Sequence, residues 1–378
     1  NSQSIAVAKR CGYRLSDTVN SVPDNGVTGQ PQQDHRYVCD DPSVLPTLSI
    51  QCQHHNDTNI MPTLLAWATC QLGIKQNASL IGSRVIVKTP WSCVIEINTG
   101  TSTVYLKHTP TALAIEANIL AMLRQQFAAP VPTLIGTHPS LPAFLMHDSG
   151  TSLREALKRS FDSQLYGQAI RQFSQLQIES AAHVDLFLTL GVPDWRLQHL
   201  PGLIMSLLEQ SEPLLEDGLT LLDIQALKNS ATKIKSLCQQ LSDYRIPEGM
   251  VQPDFHDNNI LLSRKGDKFS FIDLGEITLS HPFFSLSNCL YQAYKHHQVT
   301  KESTDHERLV NAALSPFLGF AEMVELKSAL LLAEKLLPLY GALAYHRLML
   351  ACDTNVLTAH YGRGRLKDTL KGFLHSNT

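Results

Sequence analysis

The stretch Val251-Gln252-Pro253-Asp254-Phe255-His256-Asp257-Asn258-Asn259-Ile260-Leu261-Leu262, followed by Phe271-Ile272-Asp273-Leu274-Gly275-Glu276, decides how this chain is read. A carboxylate at Asp254 is followed five residues later by the amide of Asn259, and fourteen residues further on by a second carboxylate at Asp273. Apolar β texture at Ile260 to Leu262 and Phe269 to Ile272 flanks Arg264-Lys265-Gly266-Asp267, a hairpin turn by composition. Asn259 and Asp273 therefore fall at neighbouring ends of one hairpin. Magnesium-assisted phosphoryl transfer calls for these residue types. A carboxylate orients the acceptor hydroxyl and takes its proton, while an amide and a second carboxylate offer hard oxygen ligands without crowding the metal with charge. Taken singly, Asp254 and Asn259 also suit turns, and Asp273 a cap. Their joint spacing beside a strand favours the metal site, and His256 is expected to hydrogen-bond within the loop instead of binding metal.

The two segments resemble the signature of the aminoglycoside phosphotransferase and choline kinase superfamily, H-G-D-x-H-x-x-N followed by I-D-x-G. Asp254, His256 and Asn259 match the first motif, and Ile272-Asp273-Leu274-Gly275 the second. The resemblance implies Asp254 as catalytic base, Asn259 and Asp273 as metal ligands, Mg2+ with ATP or GTP, and a small-molecule hydroxyl as acceptor. It also implies an α+β, bilobal, protein-kinase-like fold. Gln252-Pro253 stands where the family has His-Gly, and Ser285 falls where Asp-Leu-Ala is common; both departures concern the support of the site. Trp91-Ser92 together with Ser280-His281-Pro282-Phe283-Phe284-Ser285-Leu286 resembles a bacterial branch of that superfamily.

Upstream, β-branched residues cluster between Ser79 and His108 in three runs, Arg84 to Lys88, Cys93 to Ile97 and Val104 to Lys107. The joints Thr89-Pro90-Trp91-Ser92 and Asn98-Thr99-Gly100-Thr101 read as hairpin turns between antiparallel strands. A helix is expected next, with Thr109 as N-cap, Pro110 at its first position and an apolar stripe from Leu113 to Phe127. Val131 to Leu134 and Ala143 to Met146 complete a five-stranded, one-helix lobe, with Asp148-Ser149-Gly150 as its exit. Lys107, at the end of the third strand, is the expected cation for nucleotide phosphates. The resemblance assigns Glu116 as the helical carboxylate that orients this lysine. It also sets the Lys88 to Ser92 hairpin over the phosphates, with Ser92 as a ligand; the same hairpin could equally be a plain one with Trp91 packed on its own lobe. Backbone groups around Met146 and Asp148, where the lobes should join, are expected to meet adenine.

Beyond Thr151 the pattern is chiefly helical: Leu153 to Ser160, Leu165 to Ser180, Gly202 to Glu209, Leu221 to Leu241 and most of Pro282 to Phe373. The expected organisation is an extension over 1–58 of loops and short strands, a nucleotide-binding lobe over 59–148, and a helical lobe over 149–378 with an embedded β-hairpin. A short helix from Met61 to Leu72, ended by Gly73, precedes the strands. Leu326 to Leu350 is apolar but broken by Lys327, Glu334, Lys335, His346, Arg347 and Pro338, which reads as a buried helix pair and not a membrane span.

With 31 Lys plus Arg against 34 Asp plus Glu, the chain's formal charge of -3 and lack of a basic run argue against a nucleic-acid partner. The eight cysteines form no C-x-x-C pair, so zinc spacing is absent and reduced thiols of a cytoplasmic protein are expected. The acids after residue 300 are sparse and mixed with Lys301 and Arg308, giving a polycationic antibiotic no special support over an amino alcohol or sugar. Two other classes stay open: a catalytically silent nucleotide-binding protein, and a transferase that moves a nucleotidyl group or acts on a protein.

Overall fold

The computed structural model describes residues 13–21, 32–39, 60–74 and 82–376. The apolar pieces from Val44 to Ile50, and the β texture at Ser79, lie outside the described residues. The chain divides into two compact units. In the first, strands β1 (Tyr13–Ser21) and β2 (Gln32–Cys39) form an antiparallel pair, longer than the short strands expected there. All elements that follow belong to the second unit.

Helix α1 (Ile60–Gln71) ends at Gly73, whose φ of +64° lets the Ile74 N–H reach back to the Thr69 carbonyl. Strands β3 (Gly82–Thr89), β4 (Ser92–Asn98) and β5 (Thr103–His108) form an antiparallel meander. Its first turn is only Pro90-Trp91. In β5, Val104 and Leu106 are buried on one face, which by the two-residue period puts Tyr105 and Lys107 on the other.

The expected helix after β5 starts later than its proline implies. Pro110 is extended, with ψ 151°, so Thr109 caps nothing; a 3₁₀ turn at Thr111–Leu113 intervenes, and α2 (Glu116–Phe127) begins at Glu116. Strands β6 (Leu134–Thr137) and β7 (Ala143–His147) complete an antiparallel sheet in the order β3-β4-β5-β7-β6. The fourth strand starts at Leu134, where Val131 marked the expected beginning. Pro130 and Pro132 lack N–H donors for a ladder, and the Val131 carbonyl is taken by Arg124.

The second lobe opens with β8 (Thr151–Ser152) and α3 (Leu153–Leu157), capped by the Ser152 hydroxyl. Helices α4 (Ser163–Ala181), α5 (Val184–Thr189), α6 (Leu200–Glu209), α7 (Ser211–Glu216), α8 (Leu221–Asn229) and α9 (Ala231–Ser242) follow. The single helix expected over Leu221 to Leu241 is thus two. Ser230 sits at the break, its hydroxyl bonded to the Ala226 carbonyl, a local bond that competes with helix continuation.

Strands β9 (Gly249–Val251) and β12 (Thr278–Ser280) pair with each other, and β10 (Ile260–Leu262) pairs with both β11 (Phe269–Phe271) and β8. The hairpin read from the sequence is β10–β11. Helices α10 (Phe283–His297), α11 (Thr304–Leu314), α12 (Met323–Ala351), α13 (Thr354–Tyr361) and α14 (Arg365–Ser376) close the lobe. Helix α12 corrects the expected helix pair: it runs 29 residues through Pro338. A mid-helix proline costs about 3 kcal/mol, and here buried Leu336, Leu339 and Tyr340 flank it, so packing outweighs the lost hydrogen bond. Among the described residues no single helix is long and apolar enough to cross a membrane.

Candidate active site

Two neighbouring residues of the first lobe meet one from the second, 166 positions on from the lysine. Lys107 Nζ lies 2.6 Å from Glu116 Oε2 and 2.5 Å from Asp273 Oδ1. Lys107 and Glu116 side chains are almost fully buried, while Asp273 keeps 34% of its surface open to the cleft. Burial alone would pull the lysine down, but the Asp273 and Glu116 charges outweigh it and hold Lys107 cationic. Burial pushes the Glu116 carboxyl up against the pull of Lys107, and the Leu274 N–H donates to Glu116 Oε1 at 3.1 Å. The late start of α2 makes this possible, because it sets Glu116 in the first turn, facing inward.

Asp254 stands on the other side of the cleft, 60% exposed, at the head of a loop whose next residue anchors it. Phe255 is fully buried and stacks on Phe173 at 3.8 Å. His256 Nδ1 accepts from the Asn258 N–H, which leaves Nε2 to carry the proton, and Nε2 lies 3.3 Å from Asp254 Oδ1. Asn259 Nδ2 donates to the Asp254 carbonyl at 2.9 Å. Desolvation by the cleft works upward on Asp254, yet His256 and Asn259 prevail and hold its carboxyl below the usual value. His256 thus has the loop-fixing geometry expected for it. Beneath the loop, buried Asp257 receives Arg154 Nη2 at 2.7 Å and His297 Nε2 at 2.6 Å, a contact set nothing in the motif indicated.

The residues that depart from the family signature turn out to bond to one another. Gln252 Nε2 donates to the carbonyls of Ile272, at 2.9 Å, and Asp273, at 3.0 Å. The Ser285 hydroxyl accepts from the Gln252 N–H and donates to the Gln252 carbonyl, both at 2.9 Å. Ser285 thus steadies Gln252, and Gln252 steadies the backbone of Asp273. That backbone is in the left-handed region, at φ +62°, where a non-glycine residue persists only if its surroundings hold it. Arg347, from α12, holds the next stretch by donating to the carbonyls of Gly275, Glu276 and Ile277. In the sequence it was visible only as a break in an apolar run.

Glu276 closes the second motif segment, and its spacing carries no signal of a role. It is half-buried, and burial with the like charges of Asp273 and Asp254 pushes its carboxyl up to about 8. Among the described residues no group of three or more His, Cys, Asp or Glu side chains is arranged to hold a metal ion. Asn259 bonds through Nδ2 and Asp273 pairs with Lys107 through Oδ1, which leaves one side-chain oxygen of each outside these contacts. Two such oxygens suit magnesium, which commonly takes one or two protein ligands and fills its shell with phosphate and water.

Among the described residues, the remaining candidates share no hydrogen bond or ion pair with this cluster. Ser92 is buried just after the first hairpin turn, its carbonyl accepting from the Thr89 hydroxyl. Met146 lies inside the sheet, opposite Tyr105 on one side and Leu134 on the other. The Asp148 N–H donates weakly to the Thr103 carbonyl at 3.4 Å, and its carboxylate pairs with Arg264. A groove of about 980 Å³ lies against the Asp148 to Gly150 linker, lined also by Arg124, Arg171 and Lys268. None of Lys107, Asp254, Asn259 or Asp273 lines it.

No protein-family model matches the chain. No curated protein matches it either. Solved structures do. An ethanolamine kinase from Plasmodium vivax superposes with a TM-score of 0.57 at 14% identity, covering 89% of this chain and 100% of its own. The chain shares its fold with that protein. A choline kinase from Streptococcus pneumoniae follows at TM-score 0.53 and 11% identity, covering 83% of this chain and 99% of its own. A GDP complex of an aminoglycoside 2′-phosphotransferase gives 0.54 and 14%, covering 83% of this chain and 100% of its own. The α+β bilobal architecture read from the sequence, and its resemblance to the aminoglycoside phosphotransferase and choline kinase superfamily, agree with these neighbours at the level of fold.

Proposed function

We propose that this chain is a magnesium-dependent phosphotransferase that moves the γ-phosphoryl group of ATP or GTP to a hydroxyl of a small molecule. The observation that carries the reading is the junction of Lys107, Glu116 and Asp273 across the cleft, with Asp254 and Asn259 tied to the same strand end through Gln252 and the Asn259 carbonyl. Asp254 takes the proton of the acceptor hydroxyl as its oxygen bonds to the γ-phosphorus. The bond from that phosphorus to the bridging oxygen breaks, and nucleoside diphosphate leaves. Lys107, kept cationic and oriented by Glu116, neutralises phosphate oxygens. Asn259 and Asp273 would hold Mg2+, which when bound offsets the phosphate charge. Ser92 and the amides of its turn would cover the phosphates, and backbone groups near Met146 and Asp148 would meet adenine or guanine.

Two features lend support. A neighbour of the same fold was solved with GDP, and Gln252, one of the two residues standing where the family has His-Gly, bonds the backbone of the metal-side carboxylate. A cytoplasmic setting suits the free thiols of Cys70, Cys93, Cys238, Cys289 and Cys352. The acceptor class, whether antibiotic, amino alcohol or sugar, is found by assaying magnesium-dependent turnover of ATP and GTP over a panel of hydroxylated metabolites, with mass spectrometry of the products. Added phosphate supports the proposal; an added nucleotidyl group, or nucleotide binding with no product, overturns it in favour of the other two classes.

A further inference from the structure

Strand β3 is the edge of its sheet and is exposed along most of its length, yet the turn at its end is not. Pro90 and Ser92 are buried and Trp91 is half-buried. The cause lies in the other lobe. The Trp91 ring stacks on Tyr361 of α13, with centroids 5.1 Å apart and planes 4° from parallel, and meets His360 edge-on at 5.1 Å. Tyr361 is itself held by the edge of Tyr345 at 5.7 Å and by the Arg365 guanidinium, 4.6 Å from its ring centre. Trp91 is thus packed across the cleft, not on its own lobe.

The sheet register fixes what this turn overhangs. Cys93 pairs with His108 and Val94 with Lys107, so Pro90-Trp91 projects beyond the Lys107 end of the sheet. Tyr361 ends helix α13 of the second lobe, the lobe that carries Asp254. The stack therefore bridges the lobe that carries Lys107 and the lobe that carries Asp254, a second tie beside the Lys107 to Asp273 ion pair.

We infer that Trp91 and Tyr361 are positioning residues of the transfer reaction, their stack latching the phosphate-side turn across the cleft so that bound nucleotide leaves only when the rings part. This rests on the phosphotransferase reading. Neither ring touches a reacting atom; both act by holding the turn over the phosphates.

The test is the dissociation rate of a fluorescent nucleoside diphosphate with magnesium, by stopped flow, from the full chain. Aromatic pairing is worth enough that Trp91→Ala and Tyr361→Ala should each speed release by about 2- to 13-fold. The double variant should release no faster than the faster single one, because one contact is lost in all three. Trp91→Phe, which keeps a ring, should restore most of the wild-type rate with an unchanged melting temperature. Unchanged release in both alanine variants, or effects that multiply in the double variant, overturns the latch. If the wild-type chain binds no nucleotide, the kinase reading itself fails, and amide exchange over residues 89–92 decides the contact. Faster exchange there in both alanine variants upholds the stack as a tie between the lobes, and unchanged exchange overturns it.

Discussion

Asp273 concentrates the chemistry of the cleft in one residue. Its carboxylate meets Lys107, its carbonyl meets Gln252, and its backbone is left-handed. Gln252→Ala would take a side-chain donor from two part-buried carbonyls, and an acceptor left unmet away from water costs about 1–3 kcal/mol. The variant is expected to lose about 2 kcal/mol in urea unfolding and to bind magnesium nucleotide more weakly, with Gln252→His, whose ring can donate once, recovering part of both. An unchanged midpoint in Gln252→Ala would remove the clamp from the account. Glu276 makes a second prediction. Its carboxyl titrates near 8 in the folded chain against an ordinary 4.5, so the folded state holds the proton more tightly. That stabilisation is complete below about pH 4.5 and is lost as pH rises to about 8. Glu276→Gln should flatten the decline by something on the order of 1–2 kcal/mol, after allowance for solvent in the cleft. Parallel stability profiles of wild type and variant from pH 4.5 to 8 would contradict it.

At the scale of elements, the sequence was legible where composition and period act alone. The β3 to β5 meander, the β10–β11 hairpin and helix α4 fall where alternation and apolar stripes put them. It misled where a side chain or a tertiary contact overrode the local rule. Pro110 looked like a first helical residue but stays extended, Ser230 splits a helix the stripe runs through, and Pro338 fails to break one that packing holds. The linker shows a contact composition cannot reveal. Gly150 has φ +119°, and a Cβ there would sit 2.0 Å from the Leu262 carbonyl oxygen in β10. Gly150→Ala must therefore displace β10 or the linker, at an expected cost above about 1 kcal/mol. Chemical denaturation measures it, and a wild-type midpoint would mean that β10 yields freely.

Over the whole molecule, the candidate site divides by how far apart its parts lie in sequence. Asp254, Asn259 and Asp273 could be read together because one hairpin joins them. Lys107 and Glu116 could be added because a β-β-β-α order placed them. Arg347, Tyr361 and the Asp257 ion pairs could not, since each comes from a helix whose approach to the cleft depends on packing and carries no spacing signal. The Lys107 bridge spans 166 residues of chain, so the two lobes and the site are one arrangement. Lys107→Met should accordingly weaken nucleotide binding and raise the buried Glu116 carboxyl further, because the lysine charge that pulls it down is gone. Calorimetric titration at pH 6 and pH 8 with magnesium nucleotide checks both. Wild-type affinity in Lys107→Met would detach the lysine from phosphate recognition.

The central claim is that Asp254 serves transfer while Asn259 and Asp273 serve the metal. It is tested most directly by following γ-labelled ATP or GTP into a hydroxylated acceptor with wild type and Asp254→Ala side by side. Asp254→Ala is expected to keep the fold and bind magnesium nucleotide, yet transfer label about 10²- to 10⁴-fold more slowly. Transfer at the wild-type rate, with fold and nucleotide affinity intact, would contradict the account.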